Sequence, residues 1–153
     1  MKNYISVFDN VLEDDFCKGL IDKFERTKTA WVRRDDTYKT FNEINFGAHP
    51  MFAEDQNYIL SRVQPFVEKY CEAHQIKFFP KQIGFEQVRM KKYETGGKEE
   101  FREHVDVGDH ASARRFLVMF FYLNNVAEGG ETAFIGIDHD IRVQPKTGRM
   151  LCF

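Results

Sequence analysis

Phe116-Leu117-Val118-Met119-Phe120-Phe121-Tyr122-Leu123 decides the fold, because both alternating faces of this run are apolar. A run buried on both faces predicts the central strand of a sheet. Working outward, Asn124-Asn125 and Gly129-Gly130 punctuate turns, Ile141-Arg142-Val143 reads as a further strand, and Pro145 to Gly148 as a tight turn. Arg149-Met150-Leu151-Cys152-Phe153 starts one more strand. On the other side, residues 83–93 put Ile83, Phe85, Gln87, Arg89, Lys91 and Tyr93 on one face, an apolar-to-polar mixture suited to lining a cleft.

The first half changes period. Phe16, Leu20, Ile21 and Phe24 recur at helical spacing, with Glu13, Asp14 and Asp15 at the N-terminal end where the macrodipole favours negative charge, so 13–26 is an amphipathic helix. Ile59, Leu60, Val63, Phe66, Val67 and Tyr70 form a second apolar stripe over 53–75, in which Pro65 either kinks the helix or opens a new one. Residues 3–8 read as a short strand, and 28–50 as short strands and loops. The class is therefore mainly β with N-terminal helices (α+β), helices lying against one face of a sheet. At 153 residues the chain is the size of one domain, divided into a helical support region (1–80) and a β core (81–153).

Composition narrows the function. A net charge of −2 with scattered basic residues argues for neither nucleic acid nor an anionic membrane as partner. No apolar stretch is long enough to span a bilayer, and the N-terminus lacks the apolar core of a signal peptide. Cys17, Cys71 and Cys152 show no paired spacing, so they read as buried small hydrophobes in a reducing cytoplasm. The 16 Phe predict unusually aromatic packing.

The chemistry concentrates at His104-Val105-Asp106, which follows Tyr93-Glu94-Thr95-Gly96-Gly97. Residues separated by one intervening residue on an extended backbone leave the same face, so an imidazole and a carboxylate stand together. They make two-thirds of the 2-His-1-carboxylate set that suits non-haem Fe(II) and leaves coordination positions open. The pattern alone also fits a surface pair with a local hydrogen bond.

Several motifs occur in order: Tyr93 with Gly96-Gly97, Phe101, His104-Val105-Asp106, Arg115, Tyr122-Leu123-Asn124, Gly129-Gly130-Glu131-Thr132, Phe134 and Pro145-Lys146-Gly148. Together they resemble the Fe(II)/2-oxoglutarate-dependent oxygenases, within them the prolyl 4-hydroxylase-like group. The resemblance runs from about Phe85 to Phe153, and the segment from Val7 to Ile21 also fits it. It implies a double-stranded β-helix (jelly roll) buttressed by helices, forming a single oxygenase domain over 1–153. It implies His104 and Asp106 as iron ligands, with Tyr93 and Tyr122 pointing into the barrel to help hold 2-oxoglutarate. It implies Fe(II) and 2-oxoglutarate as cofactor and co-substrate, with ascorbate as a further requirement. The activity implied is hydroxylation of a peptidyl proline in a protein or peptide partner, with release of succinate and CO2. A free amino acid or other small molecule is an alternative substrate, and a non-catalytic jelly-roll binding module an alternative function. A carboxylate at Asp106 argues against a halogenating relative.

The resemblance also implies a second, distal histidine and a later Lys or Arg for the far carboxylate of 2-oxoglutarate. The sequence ends before both, inside an apolar run, which predicts an exposed sheet edge at Phe153, missing C-terminal strands and a longer parent chain. His49, His74, His110 and His139 are the remaining histidines, the last two expected in exposed loops. Lys146 is expected to be solvated.

Overall fold

A computed structural model describes residues 4–96, 98–136 and 139–153; Gly97 of the glycine turn and Asp138, the neighbour of His139, lie outside the described residues. In chain order the elements are β1 (Ser6–Phe8), α1 (Asp14–Arg26), β2 (Val32–Asp35), β3 (Thr40–Asn45), α2 (Ala53–His74), β4 (Arg89–Lys92), β5 (Met119–Tyr122), β6 (Thr132–Phe134), β7 (Ile141–Val143) and β8 (Arg149–Cys152). The class is mixed, with few helices and three small antiparallel sheets among the described residues. None of their helices is long and apolar enough to cross a membrane.

Both helices form where the periodicity places them. In α1 the buried positions are Cys17, Leu20 and Phe24, and Asp14 and Asp15 occupy the first turn with Lys23 and Arg26 in the last. In α2 the buried line is Ile59, Val63, Val67 and Tyr70, with Leu60 and Phe66 half-buried at its margins. Pro65 stands inside α2 on its exposed side without ending it. Gln75 closes the helix in the left-handed region at φ 56°, and Ile76 N–H returns to the Cys71 carbonyl at 2.9 Å.

The chain forms two compact units, 1–22 with 118–153, and 23–117. In the first, β8 lies between β1 and β5, so that Leu151 pairs with Val7 on one side and Phe120 on the other. Two sequence expectations are corrected here. The run 116–123 supplies an outer strand with half-buried side chains, and the fully buried centre is Met150-Leu151-Cys152, not an exposed edge. An apolar pattern reports burial, whereas the order of strands depends on which ladders form. Gly148, at φ +71°, makes the approach possible: its carbonyl accepts the N–H groups of Val11 (2.9 Å) and Leu12 (3.3 Å), and its own N–H donates to the Tyr122 carbonyl (3.0 Å). Lys146 is not simply solvated. With Arg149 it holds the Asp9 carboxylate, at 3.0 Å and 2.7 Å.

In the second unit β3 is central, flanked by β2 and β4. Residues 83–88 do not join the sheet, which shortens the expected 83–93 strand to Arg89–Lys92. Beyond Asn45 the partner chain turns into a 3-10 helix, Phe46–Ala48, after the Phe46 N–H has bonded the Val88 carbonyl, so no extended strand remains opposite 83–87. Register places Val32, Glu43 and Lys91 side by side, with Arg34 beside Phe41. One sheet face therefore carries Arg34, Phe41, Glu43, Arg89 and Lys91.

Candidate functional site

His104 is delivered to that face by the chain's return from the glycine turn. Phe101 forms a bridge with Lys39, Thr40 N–H bonds the Glu100 carbonyl (2.8 Å), and Arg102 N–H bonds the Tyr38 carbonyl (2.9 Å). The imidazole of His104 then stacks on Phe101, with ring centroids 3.9 Å apart and planes 11° apart. Phe101 in turn packs on Phe41 (5.8 Å), and Phe41 on Tyr93 (5.1 Å). Phe41 is fully buried, so the imidazole rests on an anchored aromatic wall.

The ring is also fixed through its nitrogens. Nδ1 lies 2.7 Å from the Arg102 carbonyl, which can only accept, so the hydrogen bond assigns a proton to Nδ1, and in the neutral imidazole the lone pair is then on Nε2. Nε2 faces Asp106 Oδ1 at 3.4 Å. That separation exceeds the roughly 2.7–2.9 Å of a charge-assisted hydrogen bond. It does fit two donors sharing one cation: at about 2.1 Å from each, donors stand at most about 4.2 Å apart. A backbone carbonyl on the remote nitrogen is the usual partner of a metal-binding histidine, fixing tautomer and orientation. His104 and Asp106 thus fit an Fe(II) ion as two adjacent donors. Among the described residues no group of three or more His, Cys, Asp or Glu could hold a metal, so none of His49, His74, His110 or His139 completes such a set. His74 packs on Tyr70, and His110 and His139 are exposed.

Electrostatics distinguish the adjoining face. Tyr93 and Lys91 keep part of their surface exposed, yet desolvation pushes the Tyr93 phenol up and the Lys91 ammonium down. The Glu43 and Asp106 carboxylates oppose the shift at Lys91, and its Nζ sits over the rings of Phe101 (4.6 Å) and Phe41 (5.1 Å). Glu43, itself buried, is held by Arg34 through Nε (2.8 Å) and Nη2 (2.6 Å).

Tyr122 belongs to the other unit. Its hydroxyl bonds Thr132 Oγ1 (2.6 Å) and the Val143 carbonyl (3.2 Å), so protein groups already satisfy it and tie the β6–β7 hairpin to β5. Burial pushes its phenol up. Three features escaped sequence reasoning: Lys91 over its two rings, the Arg34–Glu43 pair, and an Arg115–Glu86 pair joined to Asp106. The alternation of 83–93 is the one signal that pointed to the first.

Fold and site define a class: an antiparallel-sheet scaffold presenting a His-x-Asp donor pair beside an aromatic wall. Among solved structures, the fold is similar to the crystal structure of a Pseudomonas putida prolyl-4-hydroxylase, with a TM-score of 0.65 and 17% identity over 99% of this chain and 80% of that one. The shared property is the fold. No family model matches the chain, and no curated protein matches it.

Proposed function

We propose that the protein is an Fe(II)- and 2-oxoglutarate-dependent dioxygenase of the prolyl 4-hydroxylase type, built as a double-stranded β-helix and acting on a peptidyl proline. One observation carries this reading: the Nε2 of His104, its tautomer fixed by the Arg102 carbonyl, converges with Asp106 Oδ1 at 3.4 Å on a fold similar to a prolyl-4-hydroxylase. When bound, Fe(II) and 2-oxoglutarate would supply the chemistry together with O2 as oxidant: one oxygen atom of O2 would enter the C–H bond as hydroxyl and the other would leave in succinate, with loss of CO2 from the co-substrate. His104 and Asp106 hold the metal, and the stack on Phe101 keeps one flank of the imidazole dry. Tyr93, in the same unit as His104 and Asp106, is the co-substrate contact of this reading.

The test is iron-dependent formation of succinate from 2-oxoglutarate in the presence of a proline-rich peptide. Turnover lost in His104→Ala and in Asp106→Ala is the expected result; turnover unchanged in either variant overturns the proposal. With two donors in the described site, metal binding by this chain is expected to be weak. That same shortage favours a second reading, a non-catalytic binding module. It predicts peptide binding that is indifferent to iron and to His104→Ala, with no succinate formed.

A further inference from the structure

Behind Asp106 the chain makes a knot. Asp109 Oδ1 accepts the N–H (2.8 Å) and the hydroxyl (2.7 Å) of Ser112, and Ser112 Oγ accepts the N–H groups of Gly108 (3.2 Å) and Asp109 (3.1 Å). Arg115 N–H then bonds the Ser112 carbonyl (3.0 Å), turning the chain back on itself. The turn brings the Arg115 guanidinium onto Asp106, and all three of its nitrogens are used. Nη1 donates to the Asp106 carbonyl (2.6 Å), while Nε and Nη2 donate to the two oxygens of Glu86 (2.8 and 3.3 Å). Glu86, 29 residues away, and Asp106, nine residues away, thus meet on one planar fork, a shape that a lysine ammonium cannot supply.

Location rather than strength distinguishes this clasp. The side chains of Arg115 and Glu86 are 41% and 68% exposed, and exposed ion pairs contribute little to stability. The bond from Nη1, however, ends on the backbone of the one carboxylate that faces His104 Nε2. We infer that Arg115, held in place by Glu86, is a positioning residue that sets the backbone of Asp106 and thereby the aim of its carboxylate at the metal. The inference rests on the reading of His104 and Asp106 as an iron-holding pair, and goes beyond it by assigning the support of that pair.

The experiment uses the whole chain with Mn²⁺ as probe, its affinity read from water-proton relaxation and its stability from urea unfolding. Residues supporting metal ligands typically change affinity by about 10–100-fold. Arg115→Ala is therefore expected to weaken Mn²⁺ binding by about tenfold or more at an unchanged urea midpoint. Arg115→Lys fails to restore it, and Glu86→Gln, which releases the fork without emptying the site, weakens it as well. In the metal-free protein, backbone ¹⁵N relaxation at Val105 to Val107 shows the segment loosened by the same variants. Should Arg115→Ala unfold the chain, Arg115→Lys and Glu86→Gln decide. Affinity within about twofold of the parent in the folded variants, in a protein whose Mn²⁺ binding requires His104, overturns the positioning role alone. Mn²⁺ binding that survives His104→Ala overturns the iron-pair reading and this inference with it.

Discussion

Replacing Gly148 by alanine is expected to destabilise the unit formed by 1–22 and 118–153 more than any comparable change of one methyl group. A Cβ there would lie 2.2 Å from the Leu12 carbonyl oxygen, and φ is +71°. The left-handed conformation costs a residue with a Cβ about 1–2 kcal/mol. Relieving the clash moves backbone by nearly an ångström at a point where the Gly148 carbonyl accepts two N–H groups and Leu12 is buried. One or two weakened buried hydrogen bonds add roughly 1–3 kcal/mol. The sum, about 2–5 kcal/mol, corresponds to a urea midpoint lower by roughly 1–2.5 M for a slope near 2 kcal/mol/M. Gly19 is the control. It lies exposed in α1 with nothing within 4 Å of the added Cβ, so Gly19→Ala should raise stability by about 0.5–1 kcal/mol. A Gly148→Ala midpoint within about 0.3 M of the parent, or one matched by the Gly19 variant, refutes the reasoning.

Asp9 gives a pH dependence. Its hydrogen bond to Arg149, followed by that to Lys146, pulls its carboxyl from 3.8 down to about 2. A folded-state value below the unfolded one stabilises above the unfolded value and fades as pH falls through the folded one. The stability gap between the parent and Asp9→Asn should therefore be present above pH 3.8 and vanish toward pH 2. It stays below about 1 kcal/mol because the pair is largely solvated, and a gap unchanged at the acid end counts against the pairing. Lysine reactivity checks the setting of Lys91. Burial lowers the Lys91 ammonium, whereas the Glu25 and Glu94 carboxylates raise that of Lys92, so acetic anhydride should label Lys91 first. Equal labelling, read by peptide mass spectrometry, contradicts the desolvation of Lys91.

The sequence by itself determined what depends on neighbours along the chain. Helix α1 and helix α2 follow from a 3.6-residue period that requires no knowledge of a partner, and the His104-x-Asp106 spacing keeps imidazole and carboxylate within reach of each other, although the segment bends at Glu103 and Asp106 and forms no strand. Tertiary structure decided what depends on the choice of partner. It put Met150-Leu151-Cys152 between β1 and β5, since two apolar runs look alike until hydrogen-bond ladders select the one with neighbours on both sides. It cut the 83–93 strand short where the opposing chain turns into a 3-10 helix. It also brought Glu86 to Arg115, and Arg115 to the Asp106 backbone, through a contact spanning 29 residues that leaves no periodic or local trace in the sequence. Spacing could place the imidazole beside the carboxylate; only the folded chain could fix which nitrogen faces it.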